Sequence, residues 1–456
     1  MRCRPLRGAR TVAVACVVAA TWTAPLSAAV TPPKVDDAML PPARPPAPRV
    51  PTEQTGACVV TASAAKLTAT QPNIAELDAT WRLTTGAGQT VAVIDTGVAR
   101  HRLLPHLLPG GDYVSTGDGT QDCDGHGTVV AGIIGAARSE TSGTTFAGVA
   151  PDAGIIAIRQ SSNLFRPSAG ATGSGIGDVD TLADAVRTAA DAGATVINIS
   201  SVACVPSAEV LDDRALGAAL AYAVDVKNVV VVAAAGNVGG AGQCPRQNPL
   251  PDPARPGQPA WDRVDVVASP AWYDDYVLTV GSVDRSGRAS SFTLSGPWVD
   301  VAAPGEAVLS LNPDGDGLID AVPQAFELQP ISGTSYSAPV VSGIAALVRS
   351  VAPRLTARQV MRRIEDTAHH PASGWDPWVG HGVVDVLAAV SADGAGPDTA
   401  ATPPSVAQES PRAHGVETTS RRVALIGAAA CVTAATVAMT ASSGWLRRRR
   451  ESVAND

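Results

Sequence analysis

The stretch that decides the fold is Ile331-Ser-Gly-Thr-Ser-Tyr-Ser-Ala-Pro-Val-Val-Ser-Gly343, which is predicted to bring a serine to the first turn of a buried helix. Gly333 permits a close backbone approach, and Pro339 falls within the first turn, where its missing N–H costs little. From Ala338 to Val348 the residues are small and apolar on every face, as in a central core helix. Ser335 can therefore be a helix cap, or a nucleophile whose oxyanion the helix N-terminus stabilises.

Apolar runs that alternate with helical segments surround this stretch. Thr90–Asp95 is predicted to be a buried parallel strand that ends at Asp95, and His126 opens a small-residue helix. Further strands are predicted at 155–159, 195–199, 229–232, 277–283 and 298–303, helices at 180–192 and 210–226, and a Ser- and Gly-rich mobile loop at 161–178. The alternation predicts a doubly wound, mainly parallel α/β sheet flanked by helices, with the active cleft at its carboxyl edge.

Three residues converge on that edge, because Asp95 ends a strand while His126 and Ser335 each begin a helix. A serine hydroxyl is a poor nucleophile until a base removes its proton, and histidine suits that role because its pKa lies near neutrality. A buried carboxylate then fixes the imidazole tautomer. Each residue alone has a structural interpretation, but the chain order Asp, His, Ser favours a catalytic triad.

The three motifs Val-Ala-Val-Ile-Asp95-Thr-Gly, Asp-Gly-His126-Gly-Thr and Gly-Thr-Ser335-Tyr-Ser-Ala-Pro resemble those of the subtilisin family of serine endopeptidases. The resemblance covers about residues 76–390 and implies hydrolysis of protein or peptide substrates without a cofactor or metal. It also implies that Asn237, in Ala-Ala-Ala-Gly-Asn237, supplies the oxyanion-hole amide. The alternative for an asparagine in a loop is turn formation.

The same resemblance implies two walls for the substrate. The segment Asn198–Val202 would be an edge strand that pairs with extended substrate, and a second segment would line the pocket for the residue before the cut. The implied substrate-binding residues are Ser200, Ser201 and Val202 on the first wall, and Ala234, Ala235 and Gly236 on the second. A core strand is the competing interpretation of both segments, and substrate preference stays open.

The first 75 residues indicate that the protein is exported. Four arginines precede an apolar run at 11–24, and small residues follow, so 1–29 is predicted to be a secretory signal peptide, with an uncleaved anchor as the alternative. Residues 30–75 form a proline-rich extension, in which prolines exclude helix and interior strand. The protease domain is predicted at 76–392.

The C-terminal end indicates a membrane anchor. A polar linker at 393–422 precedes a predicted transmembrane helix at 423–446, whose first 22 or so residues carry no charge and match roughly 30 Å of bilayer core. The tail, 447–456, begins with arginines and is predicted to be cytoplasmic. The catalytic domain would then face outward from the plasma membrane; a buried soluble helix is the alternative. The formal charge of −8, with no basic stripe between the ends, argues against a nucleic-acid partner.

This layout resembles the mycosins, the membrane-anchored proteases of actinobacterial type VII secretion systems. The segments Trp298-Val-Asp-Val-Ala-Ala-Pro-Gly305 and Asn312-Pro-Asp-Gly-Asp-Gly317 also resemble theirs. The resemblance implies processing of secreted substrates and a structural role in the secretion-system membrane complex. It further implies that the extension wraps the protease and is not a removable propeptide. The rival hypothesis is a structural subunit in which proteolysis is secondary or absent.

Four cysteines lie between the terminal segments, namely Cys58, Cys123, Cys204 and Cys244. An even set fits disulfides in an exported domain, and four cysteines permit three pairings. Cys204 and Cys244 follow two strands that are predicted to end at the same sheet edge. Cys58 closes the extension, and Cys123 lies in an irregular loop before His126. These two arguments favour Cys58–Cys123 and Cys204–Cys244.

A possible calcium loop at Asn312-x-Asp314-x-Asp316-Gly317 is discounted. Its twelfth position would be Pro323, where a bidentate glutamate is needed. A turn between two short strands is the favoured interpretation.

Overall fold

A computed structural model of the chain describes residues 29–59, 61, 74–141, 144–169, 175–240, 244–250, 252–324 and 327–391. The predicted signal peptide (except residue 29), linker, transmembrane helix and tail lie outside these residues. Within the described ranges, no helix is long and apolar enough to cross a membrane.

Strands and helices alternate along the described chain. The strands are β1 (Thr52–Gln54), β2 (Thr90–Asp95), β3 (Leu107–Asp112), β4 (Ser139–Thr141), β5 (Thr144–Phe146), β6 (Gly154–Arg159), β7 (Phe165–Pro167), β8 (Val196–Ile199), β9 (Ala203–Pro206), β10 (Val230–Ala234), β11 (Val266–Ser269), β12 (Leu278–Val283), β13 (Val301–Pro304), β14 (Ser310–Leu311), β15 (Leu318–Ile319), β16 (Ala321–Gln324) and β17 (Glu327–Pro330). The helices are α1 (Ile74–Trp81), α2 (His126–Gly135), α3 (Val179–Asp191), α4 (Arg214–Ala221), α5 (Thr334–Val351), α6 (Ala357–Asp366) and α7 (Val386–Ser391).

The core is a seven-stranded sheet in the order β13-β12-β10-β8-β2-β6-β3, and every pair of neighbours is parallel. All residues of β8, β10 and β12 are buried, as expected for strands covered on both faces. Helices α2 and α5 pack together and contact the sheet, and α3 and α4 form a second packed pair. The predicted α/β fold with a mainly parallel sheet flanked by helices is therefore confirmed.

Several predicted boundaries differ from those in the structure. The predicted helix 210–226 begins only at Arg214, because the buried Asp213 carboxylate accepts hydrogen bonds from the last residue of β11 and from two residues of the loop after it. The predicted strand 298–303 shortens to β13, and the fully buried Trp298 precedes it. The predicted mobile loop 161–178 contains β7, and α1 crosses the predicted domain boundary at 75/76.

The described part of the extension runs along the domain surface. The backbone N–H of Val30 donates to the carbonyl of Trp261 at 2.9 Å, and the guanidinium of Arg49 contacts Asp184 at 2.7 Å and Asp180 at 3.2 Å. Strand β1 then pairs antiparallel with β7. An edge strand is a sheet position that a proline-rich segment tolerates.

Covalent bonds fix both the extension and the cleft. The structure joins Cys58 to Cys123 and Cys204 to Cys244, which is the pairing that the sequence arguments favoured. Beyond the first disulfide, the hydroxyl of Thr61 donates to the side-chain oxygen of Asn312. That asparagine lies in the turn between β14 and β15, which pair as the predicted hairpin.

Candidate active site

Three elements of the fold deliver the predicted triad to the carboxyl edge of the sheet. Asp95 is the last residue of β2, His126 is the first residue of α2, and Ser335 is the second residue of α5. The cap of α5 is Gly333, so the hydroxyl of Ser335 does not cap the helix. A Cβ on Gly127 would lie 2.0 Å from the carbonyl oxygen of Gly97. Only glycine therefore lets α2 approach the end of β2 so closely.

The first two triad residues are hydrogen-bonded. Nδ1 of His126 lies 2.7 Å from Oδ1 of Asp95, which also accepts the backbone N–H of Thr96 at 2.7 Å. The Asp95 side chain is 2% exposed, and the imidazole is 30% exposed. Burial lowers the pKa of His126, but the charge of Asp95 and its hydrogen bond outweigh burial and raise the pKa above its ordinary value. The carboxylate therefore orients the ring and favours the imidazolium.

Ser335 and Ser200 form a reciprocal pair. The hydroxyl of Ser335 donates to the carbonyl of Ser200 at 2.8 Å, and the hydroxyl of Ser200 donates to the carbonyl of Ser335 at 2.8 Å. Across the described residues, no hydrogen bond joins Ser335 to His126. Catalytic hydrogen bonds are often unformed without substrate. The ring of Tyr336 lies 5.2 Å from the imidazole, centroid to centroid.

A second carboxylate, the half-buried Asp122, supports the segment that carries His126. Oδ1 accepts from the Thr96 hydroxyl and the Gly125 N–H, each at 2.8 Å. Oδ2 accepts from the Thr128 N–H at 2.8 Å and its hydroxyl at 2.6 Å. Asp122 thus ties the end of β2 to the start of α2. Sequence reasoning missed this role, although Asp122 opens the motif that contains His126.

Asn237 is held by its side-chain oxygen. Oδ1 accepts the Thr334 N–H at 2.9 Å and the Thr334 hydroxyl at 3.1 Å. Because the amide is planar, these two bonds fix the direction of Nδ2, which makes no hydrogen bond within the described residues. Asn237 and Ser335 line the same cavity. Asn237 is thus anchored through its oxygen at the edge of the cavity that Ser335 also lines.

The cavity at this edge has a volume of about 540 Å³. Its lining includes many of the residues that the sequence analysis predicted for the site, together with residues that the analysis did not predict. The lining residues are Val59, Asp95, Thr96, Asp124, His126, Ser161, Asn163, Leu164, Ser200, Ser201, Val202, Cys204, Asn237, Cys244 and Ser335. The end of the extension thus joins the cleft, as the favoured Cys58–Cys123 bond implies. The β6–β7 loop joins it too, which sequence reasoning missed.

Of the two predicted substrate walls, only the first contributes residues that line the cavity. Asn198 lies in β8, inside the sheet between β10 and β2, so the predicted edge strand Asn198–Val202 is wrong for its first two residues. Only 200–202 continue past the sheet into the cleft. Ala234 and Ala235 are buried and, with Gly236, are not among the lining residues. The role of these three residues as a pocket wall stays a prediction.

Comparisons with known proteins agree with this geometry. The family model described as the Subtilase family, Peptidase_S8, matches residues 86–397. Mycosin-4 of Mycobacterium tuberculosis is 57% identical over 441 residues, covering 95% of each chain, and Mycosin-3 of the same organism is 42% identical, covering 98% of this chain and 99% of its own.

Solved structures show the same relationship. The MycP3 protease from the type VII (ESX-3) secretion system has a TM-score of 0.73 at 45% identity, with 80% of this chain and 100% of that chain covered. A chain of an intact ESX-5 inner membrane complex has a TM-score of 0.73 at 40% identity, covering 91% and 100%. With the fold and the residues at its sheet edge, these matches show that the chain belongs to the subtilase family, as a mycosin, and is a subtilisin-type serine protease.

Proposed function

We propose that this chain is an endopeptidase in which Ser335 is the nucleophile, His126 the general base and Asp95 the orienting carboxylate. The observation that carries the proposal is the 2.7 Å Asp95–His126 pair, which opens onto the same cavity as Ser335 and Asn237. Asp95 holds the proton on Nδ1, which leaves Nε2 free to act as the base.

Substrate binding would release the nucleophile from its resting hydrogen bond. The carbonyl of Ser200, which now accepts the Ser335 hydroxyl, lies on the wall proposed to pair with extended substrate. A substrate N–H that bonds to this carbonyl competes with the hydroxyl, which can then turn towards Nε2 of His126. Activation of the serine is thereby coupled to occupation of the cleft.

The chemistry then follows from the positions of the groups. Oγ of Ser335 forms a bond to the substrate carbonyl carbon, its proton moves to His126, and the carbonyl π electrons move onto oxygen. Nδ2 of Asn237 and the N-terminus of α5 stabilise that oxyanion. His126 returns the proton to the leaving nitrogen as the C–N bond breaks, and water attacks the acyl-enzyme through the same cycle.

A serine-directed fluorophosphonate tests this assignment on the purified full chain. The wild-type protein should be labelled at one serine, and Ser335→Ala should lose the label and all peptide hydrolysis. Ser332→Ala is the matched control, because Ser332 lies in the same loop but is exposed. Labelling that persists in Ser335→Ala would show that another serine is the nucleophile.

We further propose that the protein is tethered to the plasma membrane by 423–446, with its catalytic domain outside. The charge-free stretch, the arginines after it and the predicted signal peptide support this orientation. Protease added outside spheroplasts should degrade the domain, with intracellular enzymes protected. Protection of the domain in intact spheroplasts would contradict the proposed orientation.

A second role, in a secretion-system membrane complex, is supported by the similarity to chains of the ESX-5 assembly. The disulfide and the ion pairs that hold the extension on the domain also favour this second role, because they keep the surface of the extension as part of the protein. Deleting the whole chain should destabilise the complex and lower export, while Ser335→Ala should spare assembly. Loss of assembly in the Ser335→Ala strain would count against a separate structural role.

A further inference from the structure

A second cavity, of about 650 Å³, lies where the start of the extension meets the domain. The extension contributes Ala29 and the residues from Thr31 to Val35 to its lining. The domain contributes four aromatic residues and two adjacent carboxylates, namely Trp261, Trp272, Tyr273, Asp274, Asp275 and Tyr276. None of these residues lines the active-site cleft, so this cavity is a separate feature of the molecule.

The two carboxylates in this cavity lack a cationic partner. Within the described ranges, no hydrogen bond or ion pair involves the side chain of Asp274 or of Asp275, and Lys34 lines the cavity without pairing with either. The guanidinium of Arg358 donates only to the backbone carbonyl of Asp275, and its ion pair is with Asp225. Burial, with the charge of Asp275 added, raises the pKa of Asp274. Nearby positive charge therefore does not offset the negative charge of this site.

Further carboxylates act on the same site. Burial raises the pKa of Asp300, and the charge of Asp274 adds to that effect. Burial and the charge of Asp366 raise the pKa of Glu365, again with a contribution from Asp274. This part of the domain thus carries an excess of negative charge, which favours a cation in the cavity.

The extension holds a main-chain nitrogen at the border of this cavity. The backbone N–H of Val30 donates to the carbonyl of Trp261 at 2.9 Å, and its side chain packs against the core. The ring of Trp261 in turn meets the fully buried Trp298 edge-on, with 5.8 Å between the ring centroids. Since Ala29 and Thr31 both line the cavity, the nitrogen of Val30 is fixed beside it.

We propose that this cavity binds the protein's own N-terminus, which removal of 1–29 creates at Val30. The bond to be cut follows three small residues, 27–29, as a signal-peptide cleavage site requires. Water adds across it, which leaves a carboxylate on the released leader and an ammonium on Val30. The inference rests on the predicted removal of the signal peptide and is independent of the active-site assignment.

Cleavage changes what the nitrogen of Val30 offers to the cavity. In the uncleaved chain it is a neutral amide whose one N–H already binds the Trp261 carbonyl. After cleavage it is a cation with two further N–H groups, and these bind Asp274 and Asp275 across the space that Ala29 leaves. The aromatic faces around the site also attract a cation. Removal of the signal peptide therefore locks the start of the extension onto the domain.

The test measures the pKa of the N-terminal amine in the full chain, exported by its host and purified in detergent. N-terminal sequencing should begin at Val30. Acetylation of the amine is then followed against pH by mass spectrometry, because only the neutral amine reacts. Its midpoint should lie above the ordinary range of about 7.7–8.0. At pH 7 the wild type should react about tenfold more slowly than Asp274→Asn/Asp275→Asn, as expected for loss of a close opposite charge.

The matched control is Asp36→Asn/Asp37→Asn. This variant also removes two adjacent carboxylates, both exposed and on the extension, but neither lines the cavity, and asparagine can replace Asp36 as a cap. It should leave the midpoint at the wild-type value. Steric shielding would slow acetylation at every pH without moving the midpoint. A wild-type midpoint in the ordinary range, or one that Asp274→Asn/Asp275→Asn does not lower, would overturn the proposal.

A leader-retaining variant gives a second test that does not require changes to the cavity. Ser27→Arg places a long charged side chain where the cleavage site requires a small one, and sequencing checks that the leader is retained. Hydrogen exchange of the backbone at 31–35 should be at least about fivefold slower in the cleaved wild type than in this variant. Equal exchange in the two proteins, or a wild-type N-terminus that begins after Thr31, would also overturn the proposal.

Discussion

Replacing Asn237 tests whether its side-chain amide stabilises the oxyanion, and the structure lets us state the expected loss in kcat. Nδ2 makes no hydrogen bond within the described residues, so its removal leaves no buried partner unsatisfied in the resting enzyme. Its contribution should arise only when the carbonyl oxygen becomes negative. Loss of one such donor typically lowers kcat by about 10²–10³-fold, or ~2.7–4 kcal/mol, and KM should change little.

The choice of variant matters, because Oδ1 of Asn237 has a second task. It accepts two hydrogen bonds from Thr334, so Asn237→Ala removes both the donor and this anchor of α5. Asn237→Asp keeps the acceptor and replaces only the donor with oxygen, which also repels the developing charge. Thr334→Val is the matched control: it keeps the backbone N–H but loses the hydroxyl, which donates to Oδ1 of Asn237 and accepts the Gly236 N–H at 3.2 Å. It should lower the free energy of unfolding by about 1–3 kcal/mol, because the buried Gly236 N–H is left without its acceptor, and should have a smaller effect on kcat.

The assay is steady-state hydrolysis with active sites counted by fluorophosphonate, together with urea unfolding of each variant. We expect Asn237→Asp to lose at least as much kcat as Asn237→Ala while it unfolds at a similar urea concentration to wild type. If folded Asn237→Asp retained kcat within tenfold of wild type, Asn237 would not be the oxyanion donor. If Thr334→Val lost as much kcat as Asn237→Asp, the loss would be due to displacement of the start of α5 and not to the missing amide donor.

Four further predictions follow from the same geometry. Ser335→Ala should abolish hydrolysis with little change in the free energy of unfolding, measured by urea titration, because its hydroxyl does not cap the helix. Asp95 raises the pKa of His126 above its ordinary value of 6.5, and the base must be neutral to accept a proton. A plot of kcat/KM against pH should therefore rise with a midpoint above 6.5. Asp95→Asn should shift that midpoint to lower pH. Truncation before residue 423 should release an active domain into the soluble fraction; activity that stays membrane-bound would exclude 423–446 as the sole anchor. Cys58→Ala/Cys123→Ala should lower the free energy of unfolding by about 3–5 kcal/mol, because the bond closes a loop with a sequence separation of 65; an unchanged urea midpoint would contradict this.

The positions of the three residues of the proposed triad could be predicted because each depends on a local pattern. Asp95 ends an apolar run, and His126 and Ser335 begin helices marked by small residues, so the parallel-sheet topology alone brings them to one edge. The conformation of the serine could not be predicted. Its bond to the Ser200 carbonyl depends on a residue 135 positions away in the chain.

The shape of the cleft was less accessible to sequence reasoning, because it depends on contacts between distant segments. Ala234 and Ala235 have small side chains, which left the substrate preference open, and both are buried in the structure. Cys204 and Cys244 line the cleft, joined by a disulfide whose pairing the sequence favoured for another reason. The start of α4 at Arg214 likewise depends on Asp213 and partners more than 50 residues away.

The reciprocal bonds between Ser200 and Ser335 link substrate recognition to the nucleophile through one backbone carbonyl. The hydroxyl of Ser200 is itself held, since it accepts from the amide of Asn198 at 2.9 Å, and that side chain accepts the Ser342 hydroxyl at 2.8 Å. Strand β8 and helix α5 are thus joined by a continuous chain of hydrogen bonds from the core to the cleft. A peptide that displaces the Ser335 hydroxyl replaces one bond in this chain and leaves the others in place. In the proposed mechanism, the serine therefore turns towards His126 by a side-chain rotation, without movement of the helix.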